Sequence, residues 1–99
     1  MKIPKSVIIA GKTYRVKTDN SGGGSFDGVK GIITIGTKYK QDISSIFFHE
    51  CFEAICSERG YRYRYYSDCD NNTKFVFDHN EFQRIIEDFT LAIGDVLKK

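Results

Sequence analysis

The sequence predicts an α+β domain in which a small antiparallel sheet packs on two helices, and three observations carry that expectation. At 99 residues the chain has room for one domain, 1–99, and one modest core. Hydrophobic residues at 40%, aromatics at 14% and a single proline are the composition of a compact domain, not of a disordered or fibrous chain. The periodicity also changes along the chain, from short β-branched runs before Gly36 to helical spacing after Gln41.

The elements follow in order. SVIIA and TYRVK, from Ser6 to Lys17, are two β-prone runs broken at Gly11-Lys12, and the second sets Tyr14 and Val16 against Thr13, Arg15 and Lys17; a hairpin is expected. TDNSGGGS, Thr18 to Ser25, offers little side chain to pack and much backbone freedom, so a mobile surface loop is expected. GVKGIITIG, Gly28 to Gly36, reads as a third strand. A helix then runs from Gln41 to Gly60, with Asp42 or a neighbour as N-cap and Arg59-Gly60 as its stop. YRYRYY, Tyr61 to Tyr66, is expected to pair with KFVF, Lys74 to Phe77, across the polar SDCDNNT turn. The last helix opens at Asp78, where Asp78 and Glu81 have the spacing of a capping box. Its stripe of His79, Phe82, Ile86, Phe89, Ile93 and Val96 places His79 at the end of the buried face.

Charge narrows the function little. A net charge of +2 from fifteen basic and thirteen acidic residues announces neither a nucleic-acid nor an anionic-membrane partner. Gly11, Lys12 and Thr13 interrupt the apolar N-terminal residues before a secretory or membrane segment could form, so a cytoplasmic location is expected. Cys51, Cys56 and Cys69 cannot all pair within one chain and are expected as free thiols.

The stretch with chemistry in it is FFHECFEAI, Phe47 to Ile55. On a helix His49 and Glu53 lie one turn apart on the same face and can grip one ion. Glu50 is rotated by about 100°, so it flanks the ion and can take a proton from water. A catalytic zinc usually has three protein ligands. The other histidine, His79, at the inward-facing start of the last helix, would complete a His₂Glu set with His49 and Glu53. The competing expectation is an ordinary solvated face formed by Asp42, His49, Glu50, Glu53 and Ser57.

The H-E-x-x-E-A-I helix with a later His-Asn, here His49, Glu50, Glu53, Ala54, Ile55, His79 and Asn80, resembles the very short phage and prophage zincin-like proteins. Those are similar to gluzincin metallopeptidases and, more distantly, to the ImmA/IrrE type. The likeness runs from Val7 through Ile33–Ile35 to Gly94–Leu97. It implies a zincin-like fold, a zinc cofactor, the ligands His49, Glu53 and His79, and Glu50 as general base for hydrolysis of a peptide or protein. The chain departs from the standard zincin pattern in the Tyr-rich and SDCDNNT insertion and in Glu53, which stands where a second histidine is usual.

Two alternatives belong to other classes. A relative without catalysis would keep the fold or the metal and bind a protein partner. A small nucleic-acid module would use the interleaved rings and arginines of YRYRYY, although a strand with solvated arginines is the simpler expectation. Asp68, Asp70 and Asn72 imitate the start of a calcium loop, but Thr73 replaces its turn glycine and His79 its final carboxylate, so a polar turn is expected there. Cys51 is read as a core residue, and Cys56 as a bystander or adventitious ligand.

Overall fold

The computed structural model describes residues 2–64 and 73–97, and the side chains of all of these except 63, 64, 73 and 95–97. The chain opens with β1 (Ser6–Ile9) and β2 (Lys12–Asp19), an antiparallel pair in the register Ile9↔Lys12. Ala10 and Gly11 join them with φ of 50° and 82°, the two positive values of a tight turn that matches strand twist. Tyr14 is fully buried and Val16 half-buried, while Thr13, Arg15 and Lys17 are exposed.

The expected loop is shorter than the sequence suggests, and the glycine-rich stretch is an exposed loop only over residues 20–23. It contains a strand, β3 (Gly24–Asp27), which pairs antiparallel with β4 (Ile32–Gly36). β4 lies parallel to β2, and the sheet order is β1-β2-β4-β3. The sheet is therefore mixed, where an antiparallel one was expected. The reason is the extra strand: β3 reverses the chain, so β4 runs in the direction of β2 and fits between the two. A Cβ on Gly24 would stand 2.6 Å from Ile46 Cγ2 and 2.9 Å from Glu50 Cγ. Glycine serves close approach here, not flexibility.

A short 3₁₀ turn over Lys40–Asp42 leads into α1 (Ile43–Arg59). Asp42 occupies the N-cap without a side-chain capping bond. Gly60, at φ 78°, ends the helix in the left-handed conformation, and the Tyr61 amide donates back to the Cys56 carbonyl at 2.8 Å. β5 (Arg62–Arg64) and β6 (Thr73–Phe75) form a separate antiparallel pair, as expected. Cys69 and the turn residues Asp68, Asp70 and Asn72 lie outside the described residues. α2 (His79–Leu97) begins with a reciprocal capping box: the Glu81 amide donates to Asp78 Oδ1 and the Asp78 amide to Glu81 Oε1, both at 2.9 Å.

The core lies between one sheet face and the helices. Val7, Ile9, Tyr14, Ile33 and Ile35 come from the sheet, Phe47, Cys51, Ala54 and Ile55 from α1, and Ile85, Ala92 and Ile93 from α2. Phe89 meets Phe48 and Phe52 edge-on, at centroid distances of 6.0 and 6.1 Å. The expected stripe on α2 holds at Phe89 and Ile93 but fails nearer its start. His79 is exposed, and Phe82 and Ile86 keep 44% and 40% of their surface. The face turned inward carries Ile85 and Asp88 instead, because Arg59 on α1 grips the Asp88 carboxylate with bonds of 2.8 and 3.0 Å. Among the described residues no helix is long and apolar enough to cross a membrane.

Candidate metal centre

α1 places the motif residues according to the period of a helix. His49 and Glu53 share one face, and Glu50 turns from that face toward β3. Oε2 of Glu53 lies 2.5 Å from Nε2 of His49, while the nearer Glu50 oxygen is 4.0 Å from the same nitrogen. One donor atom from each of the three comes within 4.8 Å of the other two. In a tetrahedral zinc site, bond lengths near 2.0–2.2 Å separate ligand atoms by roughly 3.3 Å. The distances here bracket that value, and the donor types, one imidazole and two carboxylates, suit zinc or a somewhat harder divalent cation. A His/Glu/Glu group able to hold a metal ion is thus present.

His79 is not part of this group. It stands exposed on the first turn of α2, not at the inward-facing position expected of it, because α2 turns its Ile85 and Asp88 face toward α1.

The three members differ in exposure. The His49 side chain keeps 64% of its surface and Glu53 21%, but Glu50 is buried. Burial raises the Glu50 carboxyl above its ordinary value, and the negative charge of Glu53 adds to the rise, against smaller opposing effects of His49 and Arg62. A carboxyl so placed holds a proton more tightly than a surface glutamate does, which suits an acid–base group. An ordinary solvated face would not produce this, so that competing expectation fails at Glu50.

Two clefts lie along the seam between β3 and α1, and the first of them is lined in part by the group itself. One, of about 420 Å³, is lined by Gly23, Gly24, Ser45, Ile46, His49 and Glu50. The other, of about 600 Å³, lies toward Phe26, Ser57, Glu58 and Arg62. The Tyr14 hydroxyl donates to Glu58 Oε1 at 2.5 Å, and Lys12 contacts Glu58 and the Gly28 carbonyl. These bonds fix the far end of α1 to the sheet.

Sequence reasoning missed Arg62. Expected among the solvated arginines of YRYRYY, it lies half-buried, with Nε 3.4 Å from Glu53 Oε1 and its guanidinium 5.3 Å from the centre of the Phe26 ring. The alternation of that run is visible in sequence, but the carboxylate it meets is not. Both described thiols are buried, with Cys51 pushed up to about 12 and Cys56 to about 11 chiefly by burial. Cys56 is therefore a buried core thiol. No protein-family model, no curated protein and no solved structure matches the chain.

Proposed function

We propose that the chain is a zinc-dependent hydrolase of peptide bonds, zincin-like in architecture and akin to the short phage and prophage proteins that its helix motif resembles. One observation carries the reading: the buried Glu50 carboxylate stands 4.0 Å from Nε2 of His49, which itself meets Glu53, so that one donor atom of each lies within 4.8 Å of the other two. His49 and Glu53 hold the ion. Zinc bound there supplies the Lewis acidity that amide hydrolysis at neutral pH requires. Glu50, set back from the pair, accepts the proton of the attacking water and returns it to the leaving amine. Gly23 and Gly24 line the neighbouring cleft beside His49 and Glu50. β3 is an edge strand, so a peptide can dock there by strand addition.

The position of His79 favours a second reading, a relative that binds metal or a protein partner without turnover, since two ligands in contact are fewer than a catalytic zinc usually has. The Glu50→Gln substitution separates the two. The amide keeps the shape but cannot take the proton, so this variant should retain zinc and lose 10²-fold or more of the hydrolysis seen with zinc-loaded wild type in a peptide-library digest. Zinc binding without cleavage by either protein would favour the partner-binding relative. Loss of zinc in Glu50→Gln would make Glu50 a ligand.

A further inference from the structure

Arg62 is tied to the site from outside α1. The Tyr61 amide bonds to the Cys56 carbonyl at 2.8 Å, the Val76 amide bonds to the Tyr61 carbonyl at 2.8 Å, and Arg62 pairs with Phe75 across β5 and β6. The backbone beneath Arg62 is therefore held by both the helix end and the small sheet. Its guanidinium rests over Phe26 of β3, a cation–π contact that restricts the plane of the group. Nε faces Glu53 Oε1 at 3.4 Å, yet it makes no hydrogen bond and is fully buried. A buried donor without an acceptor is uncommon and calls for an explanation.

Glu53 supplies that explanation. Its two oxygens are divided, Oε2 toward His49 and Oε1 toward Arg62. At 2.5 Å, Oε2 and Nε2 stand closer than two ligands of one zinc would, so the carboxylate has to draw back from the imidazole to ligate. Oε1 is the oxygen on the Arg62 side, where it can accept a charge-assisted bond from the orphaned N–H.

We propose that Arg62 is a positioning residue for the metal centre, engaging Oε1 of Glu53 so that only Oε2 is presented to the ion. The inference rests on the metal-binding reading above and adds to it a determinant of coordination number. With one oxygen held by Arg62, Glu53 is a one-point ligand and the site favours a small four-coordinate ion. Without Arg62 the carboxylate is free to offer both oxygens, and larger ions that accept more ligands gain ground. Arginine carries a positive charge, so simple repulsion would weaken cation binding and its removal would tighten it. Positioning predicts the opposite sign, which makes the two separable.

The test is a titration with Co²⁺ alone, read by visible absorption and by competition with a chelator, on wild type, Arg62→Met, Arg62→Lys and Phe26→Leu. Wild type should give the intense bands of a four-coordinate site. Arg62→Met should lose about 10–100-fold in affinity, the usual cost of deleting such a support, and its bands should weaken toward those of a higher-coordinate ion. Arg62→Lys keeps the charge without the planar fork and should recover part of the affinity but not the wild-type spectrum. Phe26→Leu removes only the ring beneath the guanidinium and should shift both readouts slightly in the same direction, which keeps the test open if Arg62→Met does not fold. Tighter binding in Arg62→Met, or a lower melting temperature with unchanged affinity and spectrum, would overturn the proposal. Failure of wild type to bind Co²⁺ or Zn²⁺ would overturn the metal reading and this inference with it.

Discussion

Two arginines three positions apart each meet a carboxylate near α1, and they meet it differently. Arg59 grips Asp88 with two bonds, at 2.8 and 3.0 Å, and both oxygens are engaged. Arg62 approaches Glu53 to 3.4 Å without a hydrogen bond, its Nε has no acceptor, and the adjacent Glu50 carries a raised proton affinity. The first cluster is closed, since planar fork and carboxylate complete one another. It joins α1 to α2. The second is open, with an exposed imidazole, a crowded carboxylate and an unanswered donor beside two clefts. Incomplete polar groups next to accessible space are where a ligand would complete the set, and complete ones are where it could not enter.

Breaking the open cluster should give the largest effect. His49→Ala removes one of the two donors in contact, and affinity for zinc should fall on the order of 10³-fold, beyond the 10–100-fold typical of residues that merely support a ligand. His79→Ala should leave it within about twofold, because the structure does not bring His79 to the group. Competition with a chelator measures both. Retained affinity in His49→Ala with loss in His79→Ala would move the site to the head of α2 and sink the distinction drawn here.

Breaking the closed cluster should cost stability and nothing else. Asp88→Ala leaves Arg59 without its partner at a partly buried contact, a loss of about 2–3 kcal/mol. For a domain of this size that is roughly a 10 °C lower melting temperature. Zinc affinity should stay within twofold of wild type. A comparable loss of zinc binding in Asp88→Ala would mean that the two clusters act as one unit.

The same contrast separates what the sequence discloses from what it conceals. His49, Glu50 and Glu53 come together through the helical period alone, and the Asp78–Glu81 capping box and the Gly60 stop are equally local, so residue spacing finds them. Asp88 breaks the logic of an apolar stripe. A charged residue buried because a distant arginine answers it turns α2 by its own rule, leaving Phe82 and Ile86 half in solvent and His79 away from the site. β3 was hidden for a related reason. Its glycine run signals flexibility until Ile46 and Glu50 are seen to crowd Gly24, and Arg62 reads as a solvated strand residue until Glu53 and Phe26 are placed beside it.

The smallest effect sharpens the comparison most, because it asks whether the open cluster is under electrostatic strain before any ligand arrives. Glu50 has an ordinary value of 4.5 that the fold raises, by burial first and by Glu53 second. The folded state therefore holds the proton more tightly than the unfolded one. Whatever penalty the buried charge carries is absent below pH 4.5 and grows as pH rises through the raised value. In metal-free protein at pH 7, Glu50→Gln should therefore melt at a higher temperature than wild type. That advantage should shrink as the pH is lowered and vanish below 4.5, where both side chains are neutral. Thermal melts of the two proteins across pH 4–8, with chelator present, measure it. An advantage that does not change with pH would reflect packing, and a variant less stable than wild type at pH 7 would show that the Glu50 charge is answered in the fold as fully as that of Asp88, so that nothing at this site waits for a cation.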